Sequence, residues 1–174
     1  MLKNTATGFT LIELLTCIAV MAISMAFAAP AFQSWMTRSK IRSTAQQVAS
    51  ALQLAKSESL RRNALVTFSV APGNNWQISC VATNADCPAL IQQQKVEEAK
   101  TSGLSLQYSE GNNVTFNALG QLANSLSSAA PLFITVKSPD NRVNRQIRIQ
   151  ISQAGNVRLC TEETVPSSPN LTPC

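Results

Sequence analysis

Histidine is absent from the 174 residues. That removes Ser-His-Asp and Cys-His nucleophilic catalysis, and every histidine metal site with them. Glu97 and Glu98 are adjacent in sequence, a spacing that suits a solvated face rather than an acid–base pair. No C-x-x-C spacing occurs, so a zinc site or redox dithiol is not expected. The glycines and serines form no phosphate-binding pattern. The sequence therefore offers no catalytic residue, no metal site and no cofactor, and the expectation is a protein that is not an enzyme. Charge is also sparse, at 13% of residues, with 14 basic and 9 acidic side chains and a net charge of +5. Such a mild excess is compatible with contact to anions but does not by itself announce nucleic-acid binding.

Five cysteines are present. Cys17 falls in an apolar stretch and is expected to be a small buried residue. Cys80, Cys87, Cys160 and Cys174 form an even set, which suggests disulfides in an oxidising compartment. Three pairings are open. The local one, Cys80–Cys87 with Cys160–Cys174, closes two short loops and is favoured.

The amino terminus is the most informative segment. A short polar leader ends at Gly8, then Phe9-Thr10-Leu11-Ile12-Glu13 opens an apolar run that continues to Pro30. Residues 9–29 are long enough to span a membrane, since about 20 apolar residues cover the hydrocarbon core. Glu13 sits inside that run. A charged group there costs about 2.5–3.5 kcal/mol on insertion scales, so it marks a functional site and needs a partner. If the chain is cut after Gly8, the new Phe9 amine of a neighbouring copy could neutralise Glu13. A plain membrane anchor, which has no use for Glu13, is one competing reading, and an ordinary secretory signal cut near Ala26-Phe27-Ala28 is the other. Glu13 within the apolar region argues against it, as does a helical pattern that runs past the cut. The basic residues Arg38, Lys40 and Arg42 after the span run against the usual positive-inside bias.

These residues resemble the class III signal of type IV pilins and type II secretion pseudopilins. The resemblance implies cleavage after Gly8 by a prepilin peptidase, methylation at Phe9, and an assembly role for Glu13. It also implies a single inner-membrane span with a periplasmic head, later incorporated into a pilus or pseudopilus.

Pro30 is expected to kink the helix without ending it. Beyond it Ile41, Ala45, Val48, Leu52, Ala55 and Ser59 recur at spacings of four and three, one stripe on a helix reaching Arg62. The domain plan is therefore a leader at 1–8, a helix at 9–62 and a head at 63–174. The head reads in period two. Strands are expected at 65–70, 76–81, 104–108, 114–117, 132–137, 145–152 and 156–160, with a turn at 72–75 and a short helix within 88–100. In the strongest strand Ile147, Ile149 and Ile151 share one face, and Arg148 and Gln150 the other. Pro166, Ser167, Ser168, Pro169 and Pro173 mark an irregular tail.

Three further runs narrow the resemblance to the FimT/GspH family of minor pilins, which includes FimU-like members. They are Ala55 to Asn63 with Val66-Thr67-Phe68, then Phe116-Asn117-Ala118-Leu119-Gly120, then Ile149 to Cys160. The resemblance implies an α+β fold, a long amino-terminal helix packed on a β-rich head of two antiparallel sheets. Its expected function is that of a minor subunit that helps initiate a pilus or pseudopilus near the tip. The expected partners are other minor and major pilins, prepilin peptidase and inner-membrane lipid. Some members resemble DNA-uptake proteins carrying Gly-Arg-x-Arg. This chain has Gly155-Asn156-Val157-Arg158, so only the second arginine is present, and Glu162 and Glu163 follow. Arg142, Arg145 and Arg148 form a possible second basic patch. DNA is a possible partner but not the favoured one, because counterion release scales with the phosphates neutralised.

Overall fold

The computed structural model describes residues 9–71, 75–94, 104–109, 111–123, 131–138, 146–161 and 174; the side chains of 26, 28–31 and 71 are not described. The leader, residues 72–74 of the turn expected at 72–75 and residues 95–100 with Glu97 and Glu98 lie outside these ranges. So do Arg142, Arg145, Glu162, Glu163 and the tail prolines.

The chain divides into two units, Met1–Met36 and Thr37–Cys174. Helix α1, Leu11–Arg62, belongs to both and runs through Pro30 without interruption. In the first unit its apolar side chains Leu11, Ile12, Leu14, Ile18, Val20 and Ile23 are all exposed. Cys17, expected to be a small buried residue within the span, is an exposed free thiol. Among the described residues no helix is long and apolar enough to cross a membrane.

In the second unit α1 becomes one-sided. Ile41, Ala45, Val48, Leu52, Ala55 and Ser59 are all buried, which is the stripe the spacing dictates. The helix then stops by a defined device. Asn63 takes φ 49°, Ala64 N–H donates to the Ser59 carbonyl at 3.2 Å, and Asn63 N–H donates to that of Leu60 at 3.4 Å. This is the Schellman pattern with asparagine in the left-handed position.

Among the described residues eight strands follow: β1 Val66–Ala71, β2 Asn75–Cys80, β3 Gln92–Gln94, β4 Ser105–Tyr108, β5 Asn113–Phe116, β6 Leu132–Lys137, β7 Gln146–Ile151 and β8 Val157–Cys160. They form two antiparallel four-stranded sheets, ordered β3-β2-β1-β5 and β4-β6-β7-β8. Alternation decides what each strand buries. Val66 and Phe68, Trp76 and Ile78, and Val114 and Phe116 come from the first sheet. Leu132, Ile134 and Val136 join Ile147, Ile149 and Ile151 from the second. With the α1 stripe they form one continuous core.

The short helix expected within 88–100 is absent from its described part, 88–94, and residues 95–100 lie outside the described residues. Gln92–Gln94 is a strand, paired with β2 in the register Trp76↔Gln94. Three consecutive glutamines have no alternation to reveal a strand. They form one because β2 offers a backbone edge to pair with.

Candidate functional site

Two regions carry the residues singled out by sequence. The first is the start of α1. Phe9 is 89% exposed and Gly8 lies outside the described residues. Thr10 precedes the first helical residue and Glu13 sits three positions on. The Thr10 N–H and hydroxyl both donate to Glu13 Oε2, at 2.9 and 3.0 Å. The Glu13 N–H reaches back to Thr10 Oγ1 at 3.4 Å. This reciprocal arrangement is a capping box. Within its own chain the Glu13 carboxylate therefore satisfies donors that open the helix. The T-x-x-E spacing was the legible signal.

The second region is the outer side of the sheet β4-β6-β7-β8. In the register Gln150↔Arg158 and Arg148↔Cys160, opposed residues share a side. Arg148 and Arg158 therefore stand on the same side of adjacent strands. Arg158 is exposed, and its Nε donates to Gln150 Oε1. Arg148 is half-buried, its guanidinium 5.8 Å from the centre of the Phe133 ring, a cation–π distance. Lys137, opposite Gln146, adds a third cation that sequence reading did not assign to this side. Only the register between strands far apart in sequence could place it there.

Gly155, the first residue of the Gly-x-x-Arg run, proves to be structural. It adopts φ +70° in the turn between β7 and β8, and an added Cβ would lie 2.0 Å from the Gly120 carbonyl oxygen. Gly120 is itself at φ +72° in the turn after β5. There Asn117 Oδ1 accepts from the N–H groups of Leu119 and Gln121, both at 2.9 Å. Leu122 N–H donates to the Gln153 carbonyl at 3.0 Å and Lys56 Nζ to that of Ala154 at 3.2 Å. Two runs singled out by sequence thus meet in one junction that joins both sheets to α1. Neither contains a reactive group.

The disulfides are Cys80–Cys87 and Cys160–Cys174. The first loop is tied down twice. Asn84 Oδ1 accepts from the N–H groups of Asp86 and Cys87, at 3.0 and 2.7 Å, and Arg62 Nη1 donates to the Asp86 carbonyl. Arg62 and Arg61 also bind Glu58 Oε2, each at 2.7 Å. Among the described residues no group of histidine, cysteine, aspartate and glutamate could hold a metal ion.

A helix whose apolar stripe closes over two antiparallel sheets, and whose start carries Phe9 and Glu13, defines a pilin-like subunit. A family model described as type II transport protein GspH matches residues 44–162, and one for the prokaryotic N-terminal methylation motif matches residues 3–29. The chain belongs to the GspH family of minor pilins and pseudopilins. No curated protein sequence matches it. Solved structures do. The type IV minor pilin FimU of Pseudomonas aeruginosa is similar with a TM-score of 0.56 at 20% identity, over 72% of this chain and 91% of that one. The minor pseudopilin EpsH of the Vibrio cholerae type 2 secretion system is similar with a TM-score of 0.52 at 14% identity, over 70% and 96%. At such identities the likeness establishes the fold.

Proposed function

We propose that this chain is a structural, non-catalytic subunit, cut after Gly8 by a prepilin peptidase and methylated at Phe9. Residues 9–29 then hold it in the inner membrane with its head in the periplasm. From there it enters a type IV pilus or type II secretion pseudopilus near the tip and helps to start assembly with other pilins. One observation carries the reading: a methylation motif at 3–29 and a GspH domain at 44–162 occur on a single chain. The exposed apolar start of α1 supports it, since such a surface calls for lipid or other subunits around it. Intact-mass analysis of the membrane-extracted protein tests the first step. The expected product begins at methylated Phe9, and a mature chain beginning at Met1 or Ala29 refutes the reading.

Glu13 has a second role in this account. In the monomer its carboxylate caps its own helix. On assembly it is the group placed to meet the amine of a neighbouring Phe9. Glu13→Ala is therefore expected to insert and fold its head yet to enter filaments poorly. Incorporation at the wild-type level, measured in sheared filaments, removes the assembly role.

DNA uptake is the weaker reading. Of the four arginines considered for it, Arg158 is exposed, Arg148 is half-buried against Phe133, and Arg142 and Arg145 lie outside the described residues. Asn156 occupies the first arginine position, and its N–H is held by Ser152 Oγ at 3.1 Å. Weak or no binding of duplex DNA is expected. Micromolar binding lost in Arg158→Ala would reverse the ranking.

A further inference from the structure

Among the described residues, the outer side of the sheet β4-β6-β7-β8 carries charge of one sign. Lys137, Arg148 and Arg158 stand on β6, β7 and β8, and among the described residues of this side there is no carboxylate. Between them lie neutral amides and hydroxyls: Gln107, Thr135, Gln146 and Gln150. Arg158 is engaged by a neutral glutamine oxygen, a contact that leaves its charge in place, and Arg148 lies against an aromatic ring. Both contacts also fix the side chain, which lowers the entropy lost when it takes a ligand.

We propose that this side is a docking surface for an acidic, carboxylate-bearing segment of a neighbouring protein subunit. Charge complementarity favours such a partner, and the geometry favours protein over nucleic acid. Only Arg158 of the three cations is exposed, whereas DNA affinity grows with the number of phosphates reached. Sequence-independent binding of single strands also needs an open aromatic face, and Phe133 is half-buried with Arg148 over its ring. A carboxylate needs less, because one guanidinium meets it with two parallel hydrogen bonds. The flanking glutamines supply donors and acceptors for the backbone of an extended segment. The filament reading enters only in naming the neighbour as another subunit.

The test uses full-length processed protein in detergent, with a labelled hexaglutamate peptide, a hexaserine peptide and short duplex DNA as probes, each at low and physiological salt. Hexaglutamate is expected to bind at low salt and hexaserine not to. Lys137→Gln with Arg158→Gln is expected to weaken hexaglutamate binding about tenfold, and Lys40→Gln with Arg42→Gln on exposed helix α1 less than twofold. Circular dichroism verifies that each variant is folded, and Arg158→Lys, which keeps the charge but loses the paired donors, is expected to bind hexaglutamate more weakly than wild type and more tightly than Arg158→Gln. Three results overturn the proposal: no hexaglutamate binding at low salt, equal losses in the two double variants, or DNA bound more tightly than peptide and lost in Arg158→Gln. Cleavage after Gly8 is measured on the same preparations. A variant that loses the peptide but is processed normally leaves the filament reading standing.

Discussion

A single missing side chain decides how the two sheets meet. Gly155 and Gly120 approach so closely that the carbonyl of one occupies the space where the other would carry a Cβ. Gly155→Ala must move backbone, since the obstructing atom is a carbonyl oxygen, and it must also hold a left-handed φ. An expected cost of about 2–4 kcal/mol follows from strain and overpacking together. Gly111 is the natural control. It has φ +65° with no atom within 4 Å of the added Cβ, so Gly111→Ala should cost only about 1–2 kcal/mol. Urea unfolding of both variants compares them, and equal costs would show that the Gly120 contact is unimportant. At this scale the sequence was partly legible. The Gly-x-x-Arg run stood out, but it pointed to phosphate contact, and the glycine is there for a close approach to a residue far away in the chain.

Helix α1 shows how one element takes different instructions along its length. Its start is capped by Thr10 and Glu13, its core-facing stretch keeps a single apolar stripe, and its end is closed by Asn63 and a cluster of charges. Glu58 is the centre of that cluster. Its side chain is 13% exposed, and the hydrogen bond from Arg61 holds its carboxyl below the usual range, with Arg62 adding to the effect and desolvation opposing it. Arg61 is itself 64% exposed, so solvent screens much of its contribution. A carboxyl lowered in the folded state stabilises above its unfolded value, about 4.3, and that stability is lost as pH falls through the folded value. The urea midpoint should therefore fall as pH drops below about 5, and Glu58→Gln should be less stable at neutral pH with a flatter acid profile. An unchanged profile would mean that other carboxylates govern acid unfolding. The stripe and the terminal arginines were readable from spacing alone. The tie from Arg62 to the Cys80–Cys87 loop was not, because it joins residues separated by a whole hairpin.

At the scale of the molecule, the head is one core closed by two sheets, with Cys80 and Cys87 packed within it and Cys160 also buried. Cys160–Cys174 ties the final residue to the last strand, and the Cys174 N–H also donates to the Thr161 carbonyl at 3.1 Å. Closing a loop of this size removes chain entropy worth about 3 kcal/mol from the unfolded state. Replacing both cysteines by serine should lower unfolding stability by roughly that amount in non-reducing buffer. Reductant should then have less further effect on the variant than on wild type. Equal sensitivity would mean that this bond contributes little. By itself the sequence determined the elements whose signal is local. These are the capped and apolar start of α1, the stripe from Ile41 to Ser59, and the strands whose alternating side chains separate core from solvent. Tertiary structure alone decided that β1 lies between β2 and β5 and that Gln92–Gln94 is a strand. It also decided that Lys137, Arg148 and Arg158 share one side of a sheet. The reason is physical: periodicity records which face a segment buries, whereas pairing and register depend on backbone hydrogen bonds between distant segments, and those leave no local pattern when the side chains are polar on both faces.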